Sequence, residues 1–153
     1  MIEAIYTAPK HRQPLQSHTY ANLIAFQGIQ GDRFCRKTRH SHRNITLMAV
    51  EQVDWFNQQF SSAVDWGQAR RNLMTRGVDV NGLIDREFRI GNVWFKGVEL
   101  CEPCRLMGDW YRSSQVSAKT VIETMTGRSG IRAEILNDGI IEVGMPVHCQ
   151  EPE

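Results

Sequence analysis

The tightest constraint on this chain is a pair of turn signals in its second half, each lying between short apolar runs. Gly91-Asn92 separates Glu87–Ile90 from Val93–Leu100, and a two-residue Gly/Asn step between such runs predicts a tight hairpin. Asn137-Asp138-Gly139 separates Ile131–Ile135 from Ile140–Val143 and predicts a second hairpin. Within Ile131–Ile135, Ile131, Ala133 and Ile135 alternate with Arg132 and Glu134, the period of a half-buried strand. The βαβ alternation of a nucleotide-binding sheet is missing.

The first half follows the same short-strand pattern. Ile2–Thr7 and Ala21–Gln27 are rich in Ile, Tyr, Leu and Phe and read as strands, after which Gly28 and Gly31 break the pattern. Asn44–Ala49 reads as a strand. Val50, Val53, Phe56 and Phe60 then follow helical spacing, with Glu51 and Asp54 in the favoured first turn. Ser117 caps a short helix that carries Val121, Ile122 and Met125 on one side and ends at Gly127. The expected fold is mainly β, a small closed β-barrel with a few short helices. With no repeat, low-complexity tract or Pro/Ser-rich linker, residues 1–153 are expected to form a single domain.

Composition excludes several classes. At 41% hydrophobic and 23% charged, the chain is neither disordered nor fibrous. A net charge of +1 does not make a polycation built for duplex DNA. Four Lys leave fourteen Arg among the eighteen basic residues, a bias that suits forked recognition of phosphate or carboxylate. Base composition of a genome produces the same bias. Ile45–Val50 is the longest apolar run, far short of the ~20 residues a membrane span needs, and no leader is visible. A cytoplasmic location is expected, with Cys35, Cys101, Cys104 and Cys149 mostly reduced.

The segment Leu100-Cys101-Glu102-Pro103-Cys104-Arg105 allows three uses. A structural zinc site needs four ligands, so the pair would have to recruit Cys35 with His40 or His42. A redox pair normally opens a helix after a βαβ strand, unlike this setting. Two ordinary reduced cysteines at a strand end are the default. Cys104 stands apart because Pro103 stops a central strand and leaves the next side chain free to face a cleft. Arg105 beside it favours a thiolate, a ligand that suits a soft or high-valent metal.

Two further segments carry possible anion contacts. Gly28-Ile29-Gln30-Gly31-Asp32-Arg33 allows close backbone approach at its glycines and offers exposed N–H groups beside Arg33. It is equally a strand-ending turn capped by Asp32 and Arg33. Arg70-Arg71-Asn72-Leu73, followed by Gly77-Val78-Asp79-Val80, pairs arginines with an amide that can hold phosphate and the edge of a heterocycle. It is equally a solvated basic face.

Taken in order, these segments resemble the MOSC domain family, named for the C-terminal domain of molybdenum-cofactor sulfurases. The resemblance rests on Gly31-Asp32-Arg33, Arg71-Asn72-Leu73, the run from Gly77 through Leu83, Phe88-Arg89-Ile90-Gly91, Pro103-Cys104, Gly130 through Ile135, and Gly139-Ile140-Ile141. It extends from Ile2 to about Val147. Phe34 stands where many members carry His.

The resemblance implies a β-barrel and the binding of a molybdenum–pterin cofactor (molybdopterin). It makes Cys104 the metal ligand and catalytic thiol, or alternatively the carrier of a persulfide sulfur. Gly31, Asp32, Arg33, Arg71, Asn72, Arg105 and Arg132 form the expected cofactor-binding set, with arginines on the cofactor's phosphate. Arg132 equally suits a solvent-facing strand position. Members with reductase activity remove oxygen from N-hydroxylated compounds, so the expected activity is a molybdenum-dependent oxidoreductase. The chain carries no flavin, haem or iron–sulfur signature and would need partner redox proteins as electron donors. The alternative is a non-catalytic cofactor or sulfur carrier. Nucleic-acid binding through the basic stretch Arg33–Arg43 is disfavoured, because Phe34 is its only Phe, Tyr or Trp.

Overall fold

Ile45–Ala49 is apolar at nearly every position because both of its faces are covered. Leu47 enters one hydrophobic core and Met48, its neighbour, enters another. The same holds for Leu73 and Met74 on the adjacent strand. These alternating side chains divide the molecule into a small sheet, a large sheet and a layer of helices. In this computed structural model the described residues are 1–35 and 42–150.

The elements, in chain order, begin with β1 (Ile2–Thr7), β2 (Gln16–His18), β3 (Tyr20–Ile24), β4 (Gly28–Ile29), β5 (Ile45–Ala49) and α1 (Val50–Phe60). A 3₁₀ turn (Trp66–Ala69), β6 (Leu73–Thr75) and a second 3₁₀ turn (Asn81–Leu83) come next. They are followed by β7 (Glu87–Ile90), β8 (Val93–Leu100), α2 (Arg105–Tyr111), α3 (Ala118–Met125), β9 (Ile131–Ile135), β10 (Gly139–Glu142) and β11 (Val147–Cys149). The large sheet runs β11-β7-β8-β9-β5-β6-β1-β2, and the small one β10-β3-β4. β5 and β6 are parallel and joined through α1, giving one βαβ unit in an otherwise antiparallel sheet. No helix among the described residues is long and apolar enough to cross a membrane.

Two sequence expectations are corrected. The barrel is not closed: among the described residues β11 and β2 are the edges of an open half-barrel, and the small sheet covers its inner face. Asn137-Asp138-Gly139 does not close a hairpin either, since β9 pairs with β5 and β8 while β10 pairs with β3. Long-range hydrogen bonds made by the turn residues account for this. Asn137 Oδ1 accepts from Trp94 N at 2.7 Å and holds the turn against the large sheet. Asp138 Oδ1 accepts from Ala25 N at 2.7 Å and steers the following strand onto the small one.

Other expectations agree with the structure. Gly91, at φ 57°, turns β7 into β8 with Ile90 opposite Val93. Ser117 caps α3 by accepting from Thr120 N at 3.1 Å. Strand β9 is more deeply buried than its alternation suggests, because Glu134 too is covered and bonds His42 at 2.8 Å. Helix α2 was not expected. It lacks a Ser, Thr, Asp or Asn cap, and its burial of Met107 and Tyr111, four residues apart, is a weak signal in seven residues.

Candidate functional site

The 3₁₀ turn Trp66–Ala69 is set by a capping box between Asp65 and Gln68 and ends at Arg70, whose φ of 60° is left-handed. That reversal sends the chain into Asn72, which is fully buried and joins three segments. Asn72 Oδ1 accepts from Thr46 N at 3.1 Å and Thr46 Oγ1 at 3.2 Å. Its Nδ2 donates to Tyr6 O at 3.1 Å and to Asp32 Oδ2 at 3.3 Å.

Asp32 is the hub of the first motif. Gly31, exposed at φ 88°, makes the turn that buries the next two residues. Asp32 Oδ1 accepts from Ala8 N at 3.1 Å and Arg33 Nη1 at 3.0 Å, and Oδ2 accepts from Phe34 N at 3.2 Å. With Asn72 this gives the carboxylate four donors, the number of lone-pair sites it offers. Arg33 Nη2 donates onward to Arg70 O at 3.2 Å. A groove of about 600 Å³, lined by Thr7, His18, Tyr20, Asn22 and Gly31 among others, runs up to this turn.

Arg71 is spent on the main chain. Its Nε donates to Ser129 O at 2.8 Å, Nη1 to Ala69 O at 3.2 Å, and Nη2 to Cys101 O at 3.1 Å and Glu102 O at 3.5 Å. It thereby fixes the segment leading to Cys104, and Cys101 N donates to Gly130 O at 2.8 Å on the other side. Cys101 is buried. Cys104, directly before α2, is exposed.

Arg70 differs from its neighbours. Its side chain is buried against the Trp110 ring at 5.6 Å, and Nη1 donates to Gln13 O at 2.6 Å. Its Nη2 is buried and finds no acceptor among the described residues. Burial lowers the pKa of Arg70 from the usual arginine value, the nearby charge of Arg33 lowers it further, and Cys104 and Asp32 oppose both effects. Burial also lowers that of Arg33, against the opposing charge and hydrogen bond of Asp32. Both stay protonated at neutral pH, as arginine does in proteins. Arg33, Arg70 and Arg71 lie close enough to feel one another, with Asp32 as the counter-charge to hand, so the cluster carries excess positive charge.

The expected site residues therefore divide. Asp32, Arg33 and Asn72 are linked by direct hydrogen bonds, and Arg71 ties this cluster to the cysteine segment. Arg33 and Arg71 are buried rather than at the surface. Arg105 is exposed on the first turn of α2. Arg132 sits opposite Thr46 on β9, with Nη1 3.4 Å from Glu99 Oε1, which also pairs with Arg43. Sequence reasoning selected Arg71 for the anion contact and passed over Arg70, because a left-handed φ at an arginine leaves no trace in the sequence. No group of three or more His, Cys, Asp or Glu side chains able to hold a metal ion exists among the described residues. His40, one possible zinc partner, and residues 36–41 of the basic stretch lie outside them.

Comparison with solved structures supports the architecture. The YuaD protein of Bacillus subtilis superposes with a TM-score of 0.85 at 15% identity, covering 98% of this chain and 96% of that one. YiiM of Geobacillus stearothermophilus gives 0.76 at 13% identity, with coverage of 99% and 76%. YiiM of Escherichia coli gives 0.68 at 15%, with coverage of 100% and 71%. At such identity these likenesses establish the fold. No curated protein matches significantly. The sequence model of the MOSC domain matches residues 18–148, most of the chain. That span contains the Asp32 hub, the Arg70–Asn72 segment and the cysteine loop, and the chain belongs to the MOSC domain family.

Proposed function

We propose that the chain binds a molybdenum–pterin cofactor, with Cys104 as the thiolate ligand to the metal and Arg70 as the main contact for an anionic group of the cofactor. The loaded protein then reduces N-hydroxylated compounds in the cytoplasm with electrons from partner redox proteins. The observation that carries this reading is the buried Nη2 of Arg70, which has no acceptor among the described residues, on a guanidinium that feels the charge of the exposed Cys104. A buried guanidinium donor without an acceptor is costly, and an oxyanion is the partner whose geometry and charge suit it. The MOSC family is associated with this cofactor, and the residues present fit it: a soft thiolate for the metal and excess positive charge for a phosphate.

When bound, the cofactor would supply two-electron chemistry at the metal. The protein's own part is positioning and electrostatics. Arg71 holds the carbonyls of Cys101 and Glu102, so the thiol of Cys104 is presented on a fixed segment. Asp32 and Asn72 hold Arg33 against Arg70 O and keep the arginine cluster assembled. Gly31 leaves its backbone open beside the groove, and Arg105 adds an exposed cation next to Cys104.

The exposure of Cys104 also supports a second reading, in which it carries a persulfide sulfur and no small substrate is turned over. One experiment separates the two. Protein made in cells that synthesise the cofactor is mixed with a chemical electron donor and an N-hydroxylated amidine. Stoichiometric amidine formation supports the reductase; a persulfide on Cys104 with no amidine supports the carrier.

A further inference from the structure

The groove beside the Asp32 hub has a buried base and exposed walls. Thr7, Ala21 and Ile29 are buried, while His18, Tyr20, Asn22 and Gln30 stand exposed around them. Its volume of about 600 Å³ is that of a small-molecule site. The base is continuous with the hub. Thr7 lies between Tyr6 and Ala8, and both neighbours are tied to hub residues. Tyr6 N donates to Asn72 O at 2.7 Å, and Tyr6 O accepts from Asn72 Nδ2. Ala8 N donates to Asp32 Oδ1 at 3.1 Å, and Ala8 O accepts from Arg33 N at 2.7 Å.

What the lining lacks is charge. Asp, Glu, Lys and Arg make up 23% of the chain, yet none of them lines the groove among the described residues. The adjacent Asp32 carboxylate already meets four donors. Glu142, opposite Tyr20 across β3 and β10, is exposed and lies outside the lining. An ion entering such a groove sheds water and meets no counter-charge, whereas an uncharged polar molecule recovers its hydrogen bonds from the walls. Gln30 N donates to Asn22 O at 2.9 Å, which sets these two residues side by side, and each carboxamide both donates and accepts. Tyr20, 57% exposed, is two residues from Asn22 on β3, so the phenol ring and the amide share one face roughly 7 Å apart along the strand.

We infer that this groove is a binding site for uncharged, flat, ring-bearing molecules with an amide-like edge. Tyr20 packs against the ring, and Asn22 and Gln30 bond the edge. The inference rests on the reductase reading only for the N-hydroxyl group that a natural ligand would carry. Occupancy of the groove needs neither cofactor nor turnover, so the two readings fail separately. Loss of groove binding with molybdenum and pterin retained leaves the cofactor reading standing, and groove binding without molybdenum leaves this one.

Benzamide, benzoate and benzamidinium share one shape and are neutral, anionic and cationic, which makes them direct probes. Each is titrated into the full chain, produced without cofactor, while backbone amide shifts are followed by NMR at neutral pH. Benzamide should shift the amides of residues 16–22 and 29–31 saturably, and the two ions should bind there at least about tenfold more weakly. Tyr20→Ala should weaken benzamide about fivefold through loss of the ring contact. Asn22→Asp puts a carboxylate in the wall, and Gln30→Glu does so independently, so one poorly folded variant does not end the test. Either should reverse the order and place benzamidinium above benzamide. Absence of a saturable benzamide shift in the groove, or benzoate or benzamidinium binding there as tightly in the parent chain, would overturn the inference. An unchanged order in the folded charge variants would do the same.

Discussion

Arg33 Nη2 donates to the main-chain oxygen of Arg70 at 3.2 Å, so the first motif holds in place the residue that carries the free donor. Asp32, 38 positions before Arg70 in sequence, supports that bond through Arg33 Nη1 at 3.0 Å. The site is thus a chain of dependence: carboxylate, guanidinium, carbonyl, and then the side chain of Arg70.

Removing Arg70 should leave stability intact while costing function. Its left-handed backbone and its buried, half-paired charge both oppose folding. Arg70→Asn, which tolerates that φ, should unfold at the same denaturant concentration or gain about 1 kcal/mol. Its retained pterin, measured by fluorescence after oxidation, should fall at least about tenfold if a charge-assisted contact is lost.

Arg71 should behave in the opposite way. Arg71→Met strips the donor from four carbonyls and should cost about 2–4 kcal/mol in urea unfolding. Hydrogen exchange should quicken first at Cys101, whose amide bonds Gly130 O.

Asp32→Asn should be the more damaging of the hub substitutions. It leaves Arg33 buried against Arg70 and Arg71 without its carboxylate, a loss of about 3–5 kcal/mol by analogy with other broken buried pairs. Asn72→Asp alone places a second carboxylate against Asp32 and removes the Nδ2 donor to Tyr6 O, so it should also lower the urea midpoint.

Tyr111 gives a pH prediction. Burial raises its pKa above the usual tyrosine value, against a smaller opposing effect of Arg71, and its hydroxyl has no partner among the described residues. Because the unfolded chain ionises near pH ~10 and the folded one resists, the stabilisation is complete below that pH and is lost as pH rises beyond it. Tyr111→Phe should flatten the fall in urea midpoint above pH ~10, leaving the smaller contribution of Tyr6, and raise neutral-pH stability by about 1 kcal/mol.

What the sequence reveals here is what neighbours in the chain decide. Gly91-Asn92 dictates its own turn, Ser117 its own cap, and the apolar run at Ile45–Ala49 its own strand. The destination of β10 is different, because it depends on Asp138 meeting Ala25, 113 residues away, and so a hairpin signal ends in another sheet. The motif residues Asp32, Arg33, Arg71 and Asn72 were visible as polar groups of the right kind. Their partners were not, and those partners turn Arg71 from a presumed phosphate contact into a clamp on the cysteine segment. Arg70 gains its distinction from a backbone angle and a missing acceptor, both properties of the folded chain alone.

The most direct test of the account is the molybdenum and pterin content of the purified chain and of its Cys104→Ser variant, both produced in cells that make the cofactor. The account predicts about one molybdenum and one pterin per chain in the parent, a single thiolate ligand supplying the protein's bond to the metal. Cys104→Ser should lose the molybdenum and keep its thermal unfolding midpoint, since the thiol is exposed, while Cys101→Ser should keep the metal. Molybdenum retained in full by Cys104→Ser, or absent from the parent chain, would contradict it.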